Sequence, residues 1–135
     1  MELSTLSNIL YKLKIANQEL TAAFERETGF SLTRYQLLHI LQTQTRCTQN
    51  QLQTELLIDS AAVTRHLKIL EDKGFVNRTR NKDNNREIFV ELTEKARQDL
   101  ASCADKHDQD QASLGIHLTT AEATQLVSLL TKLIQ

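Results

Sequence analysis

The chain has 135 residues, 40% of them hydrophobic, 24% charged and 4% aromatic, with three glycines, no proline and a formal charge of −1. That length suits one domain with its own core and no disulfide or metal staples, and the missing proline suits long helices and argues against low-complexity linkers. No apolar run is long enough to span a bilayer and no charged-then-apolar leader opens the sequence at Met1 to Asn8, so a soluble cytoplasmic protein is the expectation.

Leu3, Leu6, Leu10, Leu13, Asn17, Leu20 and Phe24 recur at alternating spacings of three and four, which predicts a long helix over residues 3–26 with a narrow apolar seam. A seam that regular asks for a partner helix. Asn17 on it either fixes the register or faces water at the seam's edge, and Gly29 ends the helix. Thr33 with Gln36 matches a capping box and Leu32 with Leu37 a hydrophobic staple, so a second helix is expected there, burying Leu37, Leu38 and Leu41 and running to about Gln44. Thr45-Arg46-Cys47 reads as a polar connection. Thr48 and Gln51 form another capping box, opening a short helix with Leu52, Leu56 and Leu57 inward, and Leu56 to Asp59 make a tight turn.

In the next helix Val63, Leu67 and Leu70 define a buried side, while Ser60, Ala61, Thr64, Arg65 and Lys68 occupy a small, polar and basic opposite side. Gly74 stops it, because a residue without a Cβ takes the left-handed C-terminal position at little cost. The period then changes from helix to strand. Phe75 to Arg80 reads as one strand, and Arg86 to Leu92 as a second in which Ile88, Val90 and Leu92 share a face. Between them Asn81-Lys82-Asp83-Asn84-Asn85 reads as a hairpin tip in water. Thr93 caps a long helix with Ala96, Leu100, Cys103 and His107 inward, ending near Gly115. Thr119 and Glu122 make a third capping box for the last helix, where Leu126, Leu130 and Leu133 form a stripe broadened by Val127 and Ile134. So wide an apolar arc is expected to be shared with another subunit.

Short helix, tight turn and longer helix with a polar outer side is the helix-turn-helix arrangement, whose second helix enters the major groove of DNA. Ala61 and Ala62 permit close approach and Arg65 is long enough to reach a base edge or a phosphate; packing on another helix would suit the small side chains equally. From Arg65 to Arg86 seven cations (Arg65, Lys68, Lys73, Arg78, Arg80, Lys82, Arg86) stand against Glu71, Asp72 and Asp83, a local +4 in a chain of −1, so the remainder carries −5. Such asymmetry favours a polyphosphate partner. No Gly-rich phosphate loop, nucleophile elbow or metal-binding pair is present, so neither catalytic residues, a cofactor nor a metal is expected; His39, His66, His107 and His117 lack ligand spacing. Cys47 and Cys103 lack CxxC spacing and read as reduced thiols. A redox switch is the sharper alternative, for which Arg46 beside Cys47 would have to lower its pKa.

The element order, the run VTRHLKILEDKGFVNR and the later VELTEKA resemble the MarR family of bacterial transcriptional regulators over nearly the whole chain, most closely from Leu32 to Ala96. The resemblance implies a mainly α (α+β) fold, a winged helix-turn-helix with a two-stranded wing and long terminal dimerisation helices. As one domain over residues 1–135, it would comprise a DNA-binding lobe of about 32–92 and dimerisation helices of about 3–28 and 93–135. It also implies a homodimeric repressor on a pseudo-palindromic double-stranded operator, with the wing tip in the minor groove. Carried over by position, Ser60, Ala61, Thr64, Arg65 and Lys68 face the major groove, Arg80 and Lys82 belong to the wing, and Arg86 is the wing arginine. Family wings carry consecutive arginines after an acidic residue, whereas this chain has Asn84-Asn85-Arg86, which leaves a weaker anchor or one in which Lys82 substitutes. The family also implies a small aromatic or lipophilic effector, and Tyr11, Phe24, Tyr35 and His39 fall on the right helices to line its pocket. The alternatives are a winged-helix module binding a protein partner and a thiol-based redox-sensing regulator working through Cys47 or Cys103.

Overall fold

In a computed structural model, which describes residues 1–84, 86–109 and 113–135, the elements in order are α1 (Leu3–Thr28), α2 (Leu32–Gln44), β1 (Arg46–Thr48), α3 (Gln49–Leu56), α4 (Ser60–Asp72), β2 (Val76–Arg80), β3 (Ile88–Leu92), α5 (Glu94–Gln109) and α6 (Thr120–Leu133). Among the described residues a 3-10 turn at Ser113–Gly115 lies between α5 and α6. The helix expected to end near Gly115 is described to Gln109, residues 110–112 lie outside the described set, and in the turn at Ser113–Gly115 Leu114 takes a left-handed φ of 67°.

The core forms where the apolar periods of α2, α3 and α4 meet the small sheet. Leu37, Leu38, Leu41, Leu52, Val63, Leu67 and Leu70 from the helices close on Val76, Val90 and Leu92 from the strands, and Ala96 and Leu100 of α5 complete the cluster. The inward sides expected of α2 and α4 are therefore the ones buried. Burying a leucine of this kind fully stabilises the fold by about 1.5–3 kcal/mol. An aromatic file links α1 to this core: Phe24 meets Tyr35 edge-on at 5.3 Å, Tyr35 meets Phe30 at 5.7 Å, and Phe30 meets Phe75 at 5.9 Å.

The sheet is antiparallel with order β1-β3-β2. Its β2–β3 hairpin is the expected wing, in register Val76↔Leu92, Arg78↔Val90 and Arg80↔Ile88. The segment read as a polar connection is instead a third strand, which pairs Cys47 with Val90 and buries both. Three residues with one apolar side chain are too short to show a period of two, so only the partner strand reveals it.

Local signals at the helix ends had mixed outcomes. The capping boxes at Thr48/Gln51 and Thr119/Glu122 both form in full. The one expected at Thr33/Gln36 does not: α2 starts two residues earlier, after Ser31, and its first amide, on Leu32, is accepted by the Glu25 carboxylate of α1 at 2.8 Å. Leu32 is then the first residue of the helix, not the one before its cap, so it does not hold the staple position expected of it opposite Leu37. An acceptor delivered by another helix took the place of the local cap. Leu57 is a further correction. With no glycine in the three residues joining α3 to α4, Leu57 takes the left-handed conformation at φ 55°, which turns its side chain out to 72% exposure while Ile58 packs inward. Gly74, at φ +78°, ends α4 as expected, and its carbonyl accepts from Thr93 Oγ1 at 2.6 Å, tying the helix end to the start of α5.

The terminal helices differ from this lobe. Neither α1 nor α6 buries a single residue; Leu3, Leu10 and Leu20 on one, and Leu126, Val127 and Leu133 on the other, are exposed. Among the described residues no helix is long and apolar enough to cross a membrane.

Candidate nucleic-acid interface

The site begins with the N-terminus of α4. Asp59 Oδ1 accepts the amide of Ala62 at 2.7 Å, a cap that fixes the helix start and so the direction in which its first side chains leave. The sequence signal for it, an Asp immediately before a helical period, was present. Residues 60, 64 and 68 are one turn apart and so are 61 and 65, hence Ser60, Ala61, Thr64, Arg65 and Lys68 share one side. All five are exposed, opposite Val63, Leu67 and Leu70. Thr64 Oγ1 donates to the Ser60 carbonyl at 2.9 Å, which leaves its oxygen lone pairs for a ligand.

Arg80, Lys82 and Arg86 are exposed at the wing. Its tip is built by asparagine side chains: Asn81 Oδ1 accepts the Asp83 amide at 3.0 Å, Asn84 Oδ1 accepts the Arg86 amide at 3.2 Å, and Asn81 Nδ2 donates to Glu87 Oε1 at 3.0 Å. Asparagines here replace turn hydrogen bonds, which accounts for residue types that looked only permissive in the sequence. Asn85 lies outside the described residues.

The local +4 is not all available on this surface. Arg78 forks onto Glu71, with Nη2 to Oε1 at 3.0 Å and Nε to Oε2 at 3.3 Å, and extends Nη1 to Gln49 at 3.5 Å. It thus braces the base of the wing against α3 and α4, and its hydrogen bonds hold the Glu71 carboxyl below the usual carboxylate range. Lys73 turns to the other side of α4, where it lines a cavity. Lys68 Nζ lies 3.3 Å from Asp72, both side chains well exposed, an i,i+4 pair worth about 0.3–0.5 kcal/mol that a phosphate readily displaces. Arg65, Lys68, Arg80, Lys82 and Arg86 are the cations that remain outward.

The four residues proposed to line a pocket are not brought together. Tyr11 is 62% exposed on α1, thirteen residues or about 20 Å along the helix from Phe24; Phe24 and Tyr35 pack on each other; His39 is exposed on α2. A cavity of about 640 Å³ lies between the end of α1, the start of α2, the end of α4 and α5, with Arg34, Phe30, Lys73, Phe75, Cys103 and Lys106 among its walls; Tyr11 lines a different depression, along α1 itself. No local spacing could have found that cavity, since its walls come from segments tens of residues apart.

The cysteines separate. Cys47 is buried, its Sγ 3.3 Å from Gln44 Oε1, and burial, then the Glu55 charge, push its thiol pKa up. Arg46 does not lower it: its guanidinium sits 3.7 Å over the Phe89 ring and 3.7 Å from Glu91. A reactive thiolate at Cys47 is therefore disfavoured. Among the described residues no cluster of three His, Cys, Asp or Glu could hold a metal.

Comparison with known proteins agrees with this geometry. The family model described as MarR family matches residues 30–88. The Bacillus subtilis (strain 168) HTH-type transcriptional regulator YdgJ is 35% identical over 127 residues, spanning 94% of this chain and 77% of that protein. Among solved structures, a mutant MarR from E. coli complexed with operator DNA superposes with a TM-score of 0.82 at 24% identity, covering 100% of both chains. Bordetella bronchiseptica BpsR, whose DNA binding is regulated by 6-hydroxynicotinic acid, gives 0.78 at 21% identity over 95% of this chain and 99% of that one.

Proposed function

Because the chain belongs to the MarR family of DNA-binding transcriptional regulators, which are not enzymes, we propose that it acts as a homodimeric repressor that reads a pseudo-palindromic duplex and releases it on binding a small aromatic effector. The observation that carries this is the outward placement of all eight candidate residues on one side of α4 and the adjoining wing. Ser60, Ala61, Thr64, Arg65 and Lys68 face the major groove, with Arg65 as the base reader; Arg80, Lys82 and Arg86 meet phosphates and the minor groove. The lobe of about 32–92 carries the contacts, and the helices of about 3–28 and 93–135 join two copies, which supplies a cover for the apolar faces of α1 and α6. Half-sites one helical turn of DNA apart then match two copies of α4.

The cavity beside α4 is the place for the effector. Phe30 and Phe75, with ring centroids 5.9 Å apart, supply aromatic walls, and the operator-bound MarR and effector-regulated BpsR share the fold. Release requires that the effector bind the DNA-free and DNA-bound arrangements with different affinity.

Selection of bound fragments from random duplex DNA, followed by titration, tests the reading. Arg65→Ala should weaken binding to the selected duplex by about 1–3 kcal/mol and relax its sequence preference, whereas Lys82→Ala should weaken all duplexes alike. Affinity should fall steeply as salt rises. Equal losses on selected and random duplex for Arg65→Ala would remove base reading, and a flat salt response would point to a protein partner instead.

A further inference from the structure

Arg34 belongs to two places at once. It lines the cavity, and its Nη1 lies 3.4 Å from Nδ1 of His66, in the middle of α4. A guanidinium has donors only, so Nδ1 must be the lone-pair nitrogen and the ring neutral, with its proton on Nε2. His66 is half-buried on the flank of α4, and its neighbour in sequence, Arg65, is on the DNA-facing side. At 3.4 Å the bond is long. A carboxylate offers the same guanidinium a shorter, charge-assisted and paired arrangement, about twice as strong as a neutral one.

The cavity itself favours such a competitor. Arg34, Lys73 and Lys106 line it against Glu27 and Asp99, an excess of one positive charge that a single carboxylate balances. We propose that Arg34 is a positioning residue through which the cavity acts on the DNA-facing helix: an aromatic monocarboxylate entering the cavity draws the guanidinium off His66, and α4 loses the strut from α2 that sets its angle. This rests on the cavity being the effector site and adds how occupancy is transmitted.

The His66 imidazole reports the event directly. Burial, then the charges of Arg34 on α2 and Arg65 on α4, hold its pKa below the ordinary 6.5, so removal of Arg34 from the ring raises it. The experiment is an NMR titration of the four histidine rings of the full-length chain, with His66 assigned by its absence in His66→Gln and benzoate as the probe. Benzoate should raise the His66 midpoint in the wild type. Arg34→Gln should raise it without benzoate and, at benzoate concentrations that still perturb the Ser102 and Cys103 amides, show no further response, because with the cavity occupied a direct effect of the benzoate charge on the ring would survive that substitution. Binding to a selected duplex should weaken about fivefold or more with benzoate in the wild type, and by less than about twofold in Arg34→Gln or in His66→Gln.

Benzoate that perturbs the amides of Ser102 and Cys103 while leaving the His66 midpoint still would overturn the proposal, as would no perturbation there at millimolar concentration. A shifted His66 midpoint in a protein that binds no duplex supports the strut and sinks the DNA-binding reading instead, so the two failures are separable.

Discussion

The middle lobe and the terminal helices solve the same sequence problem in opposite ways. Every buried residue among those described lies between Leu37 and Leu100, where four helices and three short strands each supply one apolar side to a shared centre. The 26-residue α1 and the 14-residue α6 have apolar periods just as regular and bury nothing. Periodicity thus announces that a face will be covered and says nothing about what covers it. Inside the lobe the partner is in the same chain; for α1 and α6 a second copy is the partner proposed above.

The largest effect that separates the two regions is expected at Leu67, which is fully buried: Leu67→Ala should cost about 2–5 kcal/mol in denaturant unfolding. A loss below about 1 kcal/mol would mean that the lobe is loosely packed. Next comes α6, where Leu126→Asp should leave the unfolding of the lobe in place and weaken self-association by at least tenfold, about 1.4 kcal/mol, read by sedimentation. Unchanged assembly in that variant would move the seam elsewhere. A smaller effect is expected at the α3 cap: Thr48→Ala removes the acceptor of the Gln51 amide at 3.1 Å and should lower stability by about 1 kcal/mol.

The smallest concerns His66 and pH. Its folded pKa lies below the unfolded 6.5, so below that pH the unfolded chain binds more protons and stability falls as pH drops through the folded value, while above 6.5 this group contributes no slope. The stability difference between wild type and His66→Gln should therefore be constant above neutrality, with the wild type losing ground in acid. A constant difference throughout would place His66 in solvent.

The lesson about legibility follows from individual residues. Thr48/Gln51 and Thr119/Glu122 were readable because every group in a capping box lies within four residues. Thr33/Gln36 had the same letters and failed, because Glu25 from another helix reached the Leu32 amide first. The five α4 candidates were readable from helical spacing alone. The division of the positive charge was not, since it took coordinates to show Arg78 held by Glu71 and Lys73 turned to the cavity.

What the amino-acid order determined alone is the set of helices, the wing hairpin and the outward side of α4, all of which depend on residues within a few positions of one another. Strand β1, the exposed Leu57, the cavity and the Arg34–His66 contact were decided only when the chain closed on itself. Each joins groups distant in sequence or depends on a backbone reversal, and a hydrogen bond or a wall between positions 34 and 66 has no period for a sequence to display.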